Sequence, residues 1–570
     1  MPDKIPVHHI RTRSTLFKCL LLFPLPFFIF INYACAADEE TRALLRSRME
    51  QLHNTHSLQI GTSHVVGVRV IQEFYTKRNF EPAWKDEGKI NELLNIIRNI
   101  SSEGLKPEDY SLADLSYLYA QKHKSVGQMV DFDILLSDSL LRLGFQIRFG
   151  KVDPNTLDSN WNLTRDLEGK DPATVMQAAI DSGSLQSFID TTLDRQEFYQ
   201  RFKLALARYH KIKARGGWPK IPEGPTLKPG MNDQRIFPLR RRLLATGDLL
   251  TESPEHEALF DDDLKQAVMR FQERHHLDAD GIVGRNSRAA MNVSVEERID
   301  QIRVNLERGR WVLKDLQGDY VIVNIAGFRA FLMREGKEVW QTNVMVGKTY
   351  RKTPVFKASM KYLVFNPTWT IPPGIMRKDI LPKARMDPEY VRSKGYRVLD
   401  RNGKAVDYDA IDWANATPRN FPYMVRQPAG PNNALGQVKF IFPNSHFVFL
   451  HDTNHQELFV HPERTFSSGC IRVENPLTLA ELILDDANKW NQASIAKLIE
   501  SGKTKTVNLQ KPLTVLVLYW TFMVNPDGTV SFLKDVYKRD KKILDALDSE
   551  FVISNPDGTP EIYSDTGEAI

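Results

Sequence analysis

Apolar residues change their spacing along the chain, and the changes divide it. From residue 41 to about 217 the period is helical: Ile90, Leu93, Leu94, Ile97 and Ile100 recur at three- and four-residue steps, and the run closes at Gly104. Residues 130–149 are apolar nearly all round, as in a helix buried on every side. No reactive constellation stands out, so residues 37–217 are expected to be a helical scaffold domain, or a docking region for partners.

Residues 218–231 carry Pro219, Pro222, Gly224, Pro225, Pro229 and Gly230, which disfavour helix and predict an extended linker. Helical spacing returns over residues 232–293. There Asp261, Asp262 and Asp263 suit a helix start, and Leu264, Ala267, Val268 and Phe271 share one face. A turn follows at Asp280-Gly281, and residues 296–313 predict a helix leading into the last domain.

Short strands then replace helices, at 320–325, 328–333, 339–346, 362–365, 438–442 and 447–450. They predict a β-sandwich over 296–535. Residues 366–436 interrupt it with prolines and scattered charges, and a block of that length predicts a capping insertion. Asn475-Pro476 opens a helix through about 489, residues 513–523 and 529–533 a closing hairpin, and 536–570 a polar tail. The fold class is thus multidomain α+β.

The N-terminus changes the picture of location. Lys4, Arg11, Arg13 and Lys18 precede an apolar run at 19–31, and Ala34-Cys35-Ala36 has the form of a cleavage site, so residues 1–36 predict a signal peptide. An uncleaved anchor is the alternative, although thirteen residues broken by Pro24 and Pro26 fall short of the twenty or so needed to span a bilayer. Export to a periplasm is expected. The chain carries a net charge of +5, and its basic clusters at 240–242 and 538–542 are short, which argues against a nucleic-acid partner.

Export also changes the meaning of the cysteines. Of three, Cys19 and Cys35 fall in the signal, leaving Cys470 without an internal disulfide partner. Either it is a buried small hydrophobe or it is a nucleophile, and its setting in Ser467-Ser468-Gly469-Cys470-Ile471-Arg472 favours the nucleophile. A thiol needs a base. His451, at the end of a strand, is the best candidate, with His446, His455 and His461 as competitors. Backbone N–H groups of Gly469 and Cys470 are candidates for an oxyanion hole, and Arg472 for a substrate carboxylate. The i, i+4 pair His451 and His455 has zinc-site spacing but lies in turn-forming sequence, so no metal and no cofactor is expected.

Two stretches resemble known families. AVxxFQ followed by DGIVG is similar to the small three-helix peptidoglycan-binding domain of cell-wall enzymes. His451, nineteen residues before the cysteine of SSGCIR, resembles the signature of L,D-transpeptidases. NPTWTIPP at 366–373, RKDILPKAR at 377–385 and ALGQVKFIFPNSH at 434–446 resemble the large YcbB-type members of that family. Two positions depart: Ser468 replaces the usual histidine, and Gly309 stands where an aromatic is usual.

The resemblance implies that Cys470, helped by His451, attacks a tetrapeptide stem of peptidoglycan, releases D-Ala, and passes the acyl group to another stem as a 3-3 cross-link. It implies that the histidine is oriented by a backbone carbonyl and that carbapenems acylate the thiol; Ser467, Ser468 and the cap residue Trp369 are candidate substrate contacts, as is Arg472 unless it forms a salt bridge within the domain. Partners would be peptidoglycan stem peptides and other cell-wall synthases. The alternatives are an L,D-carboxypeptidase using the same thioester and a non-catalytic peptidoglycan-binding adaptor.

Overall fold

The computed structural model describes residues 26–157, 161–163, 165, 167, 169–192, 197–251, 258–312 and 316–551. The basic start and most of the apolar run of the expected signal peptide lie outside these; the cleavage motif falls within a continuous helix, α1 (Pro26–Thr55). Among the described residues no helix is long and apolar enough to cross a membrane.

A two-residue ribbon, β1 (Gln59–Ile60) and β2 (Ser63–His64), leads from α1 into the helical region. There follow α2 (Val68–Lys77), α3 (Glu87–Arg98), α4 (Leu112–Ala120), α5 (Val126–Phe149), α6 (Pro154–Leu157), α7 (Pro172–Asp181), α8 (Leu185–Thr192) and α9 (Glu197–Ala214). Helix α5 is its axis, buried on nearly all faces as its composition requires. Its buried Asp133 is satisfied by the Tyr75 hydroxyl at 2.6 Å and by the N–H groups of Ala83 and Trp84 at 3.0 and 2.9 Å. Ile90, Leu93, Leu94 and Ile97 face the core from α3. The run ends at Gly104, whose φ of 73° a side chain rarely adopts.

The expected three-helix unit is present as α10 (Ile236–Thr246), α11 (Asp262–Arg274) and α12 (Arg285–Met291). Asp261 caps α11 by accepting from the Leu264 N–H at 2.9 Å. Leu264, Ala267, Val268 and Phe271 are fully buried. The linker is a strap on this unit: Ile221 and Leu227 enter its core, and Leu227 bridges to Val283.

Helix α13 (Val295–Arg310) joins the units. It packs on α9, and its Gln301 and Asn305 hydrogen-bond to Thr521 in the last domain, Gln301 also reaching the Leu533 carbonyl. Gly309 lies here with room for little else, since a Cβ would stand 3.2 Å from Tyr199. The ring of Tyr199, from α9, fills the space an aromatic at 309 would need.

The strands are β3 (Tyr320–Asn324), β4 (Arg329–Arg334), β5 (Lys337–Met345), β6 (Phe356–Phe365), β7 (Trp369–Thr370), β8 (Arg397–Leu399), β9 (Met424–Gln427), β10 (Val438–Ile441), β11 (Leu450–His451), β12 (Ile471–Val473), β13 (Lys505–Leu518), β14 (Phe522–Val524) and β15 (Val530–Phe532). The expected sandwich is corrected to a closed barrel in the order β10-β11-β12-β5-β4-β3-β13-β6. Long strands β6 and β13 curve at a register shift between Asn508 and Leu513, which lets one sheet close without free edges.

The expected closing hairpin also divides. Residues up to Leu518 belong to the barrel, while β14 and β15 pair with each other and bury Phe522 and Phe532 in the helical core. The tail folds further than expected, as α14 (Asp540–Asp548 in a run whose Ile543 and Leu547 are buried) docked on α13. Residues 552–570 lie outside the described residues. The helix opened by Pro476 ends at Leu484, and Asn475 adopts φ 50° without capping it through its side chain.

The insertion at 366–436 has its own core, which includes Ile371, Ile380, Trp413 and Val425, and its own sheet in the order β7-β9-β8. One turn, Met376–Ile380, is a π-helix.

Candidate active site

The site grows out of one barrel pairing. Strands β11 and β12 run parallel with His451 opposite Arg472, so both side chains share a face. Cys470 stands immediately before β12, so the loop that carries it opens beside the strand that carries His451. The strand expected over 447–450 is corrected to Leu450–His451. Phe447 has φ 54°, and its carbonyl, turned toward the site, accepts from the Cys470 thiol at 3.7 Å.

His451 is buried, and its Nδ1 stands 2.5 Å from the Asp452 carbonyl oxygen. A carbonyl only accepts, so Nδ1 carries the proton and Nε2 presents a lone pair. The Asp452 carboxylate is engaged elsewhere, by the N–H groups of Gln437 and Thr453 and the Gln456 amide. Burial, with the Arg472 charge adding to it, pushes His451 down to about 3. Burial pushes the Cys470 thiol up, against lowering by the Phe449 backbone and Arg472. The resting pair is thus a neutral thiol beside a neutral imidazole.

The nucleophile loop is knotted from within. Ser467 Oγ donates to the Cys470 carbonyl at 2.5 Å and accepts from the Gly469 N–H at 3.1 Å. Two residues expected to meet substrate are bonded within the loop. The Gly469 N–H is engaged by the Ser467 hydroxyl, whereas the Cys470 N–H has no partner among the described residues. Ser467 is buried and serves the loop rather than a substrate. Gly469 has φ 121°, which admits glycine and little else.

Ser468 is exposed and accepts from Arg351 Nη1 at 2.9 Å. Arg472 is partly buried beside Cys470 and Glu457. Trp369 sits in the cap sheet opposite Gln427, its ring edge-on to Tyr396 at 6.4 Å. The competing histidines are occupied: His446 against Phe356, His455 with Glu457 at 3.1 Å, and His461 against Phe466.

Sequence reasoning missed the supports. Thr353 Oγ1 donates to the Gly469 carbonyl at 2.8 Å and accepts from the Gly347 N–H at 2.9 Å; Tyr537 accepts from the Thr353 N–H at 3.2 Å and donates to the Gly347 carbonyl at 2.5 Å. Arg351 and Asp379 join the loop to the cap. These partners lie more than a hundred residues from the loop or stand in unremarkable sequence.

Three segments of the chain match models of known families. Residues 318–506 match the model described as "L,D-transpeptidase catalytic domain", residues 69–206 that of a "Scaffold domain", and residues 233–291 that of a "Putative peptidoglycan binding domain". The chain therefore carries regions similar to the catalytic and wall-binding parts of L,D-transpeptidases.

A Haemophilus influenzae protein described as "Putative L,D-transpeptidase" is 35% identical over 251 residues, which are 44% of this chain and 50% of that protein; the match thus spans half the relative's length. L,D-transpeptidase crystal structures from Stackebrandtia nassauensis (14% identity, 55% of this chain and 99% of that one, TM-score 0.20) and Xylanimonas cellulosilytica (13%, 52% and 100%, TM-score 0.16) also align.

Proposed function

We propose that this protein is an exported L,D-transpeptidase of the YcbB type that forms 3-3 cross-links in peptidoglycan through a thioester on Cys470. The observation that carries the reading is the His451 tautomer. Its Nδ1–H is held by the Asp452 carbonyl at 2.5 Å, so Nε2 is free to take a proton.

The thiol attacks the carbonyl of the third stem residue as His451 removes its proton, and the Cys470 N–H steadies the developing oxyanion. His451 then returns the proton to the departing D-Ala amine. In the second half the side-chain amine of another stem attacks the thioester, His451 takes its proton, and the thiol is restored. The cap covers the acyl-enzyme against water. Peptidoglycan stems are the proposed substrates, the periplasm the proposed location, and carbapenems the proposed covalent inhibitors.

The test uses the chain from Ala37 onward, incubated with disaccharide-tetrapeptides beside Cys470→Ala and analysed by mass spectrometry. Cross-linked dimers lacking one D-Ala, absent from the variant, are expected. Tripeptide monomers alone would make the enzyme a carboxypeptidase, and identical digests from both proteins would sink the enzymatic reading.

A further inference from the structure

Arg351 lies in the loop between β5 and β6, beside the nucleophile loop. Its guanidinium makes two hydrogen bonds to the Asp379 carboxylate, at 2.5 and 3.0 Å, and a third to Ser468 Oγ, two residues from Cys470. Asp379 belongs to the cap, within the π-helical turn Met376–Ile380, a conformation found often at functional positions. Arg351 keeps 18% of its side chain exposed and Asp379 38%, so the pair is open to solvent and to exchange. A planar fork that holds one carboxylate in two-point contact will hold another equally well.

We infer that Arg351 is the specificity residue for the terminal carboxylate of the donor peptide, and that Asp379 occupies its place while the site is empty. The inference rests on the transpeptidase reading. In a donor stem the terminal carboxylate is separated from the attacked carbonyl carbon only by the amide nitrogen and one Cα, so its receptor must lie close to the thiol. Arg351 reaches Ser468, two residues from Cys470 in the chain.

Exchange of one carboxylate for another is nearly even in free energy, because the same bidentate contacts are broken and remade. A donor that displaces Asp379 also releases the cap at that turn. When D-Ala leaves it takes the carboxylate with it. Asp379 returns to Arg351, and the cap reseats over a thioester that must be kept from water.

The test compares a tetrapeptide donor with a free terminal carboxylate against the same donor as its C-terminal amide, using full-length protein without its leader. The wild type should prefer the acid by at least tenfold in kcat/KM. Arg351→Ala should bring the two donors within about twofold, and Arg351→Lys should fall between, since a point charge lacks the fork. Asp379→Asn, a cap-surface change with little risk to folding, should lower KM for the acid and widen the preference.

Acid preference retained in Arg351→Ala, or an unchanged KM in Asp379→Asn, would overturn the assignment while leaving the transpeptidase reading intact. Absence of Cys470-dependent product from either donor in the wild type would overturn both.

Discussion

The Ser467 hydroxyl donates to the carbonyl oxygen of Cys470 at 2.5 Å while accepting from the N–H between them in sequence. One side chain therefore sets the turn that presents Cys470. Ser467→Ala should free the Gly469 N–H, loosen the turn and lower kcat at least tenfold, with a stability loss of about 1 kcal/mol for the lost bonds. Turnover and thermal melting check this; unchanged kcat would show that the turn holds without the hydroxyl.

Thr353 supports the same loop from behind, through the Gly469 carbonyl and the Gly347 N–H. Thr353→Val keeps the shape and leaves two buried backbone groups unpaired, which costs about 1–3 kcal/mol for each. Denaturant unfolding should show a loss in that range, and acylation of Cys470 should slow. A variant as stable as the wild type would mean that water or a shifted side chain replaces the hydroxyl.

His451 makes stability depend on pH in a definite direction. Unfolded, it gains a proton near pH 6.5; folded, burial holds it down to about 3. Below pH 6.5 the unfolded state therefore binds a proton that the folded state refuses. The contribution is complete above pH 6.5 and is lost as pH falls toward 3, reaching a loss of about 2 kcal/mol at pH 5. His451→Gln should flatten the slope of unfolding free energy by about 1.4 kcal/mol per pH unit over that window. Parallel slopes would contradict a neutral buried histidine.

Gly436 touches the same histidine at one remove. It has φ 59°, and a Cβ there would stand 2.3 Å from the Asp452 carboxyl group. Asp452 would have to move, and its carbonyl holds His451. Gly436→Ala should reduce kcat at least tenfold with less effect on KM, a split that steady-state kinetics resolves. A rise in KM alone would place the damage in the cap instead.

The linear sequence was enough for features governed by local chemistry. The helical period of Ile90 to Ile97, the Asp261 cap and the apolar face of α11 predict their elements because burial and capping act over one or two turns. Cys470 and His451 stood out as candidates because an unpaired thiol and a histidine at a strand end are conspicuous by type.

What only the tertiary structure decided depends on contacts far apart in the chain. Barrel closure comes from β13 pairing with both β3 and β6, which alternation within any one strand does not encode. The same holds for the ring of supports. Thr353, Tyr537, Arg351 and Asp379 are ordinary residues until the fold brings them to the nucleophile loop. Even the bond from the Gly469 N–H to the Ser467 hydroxyl depends on the local fold and not on residue identity.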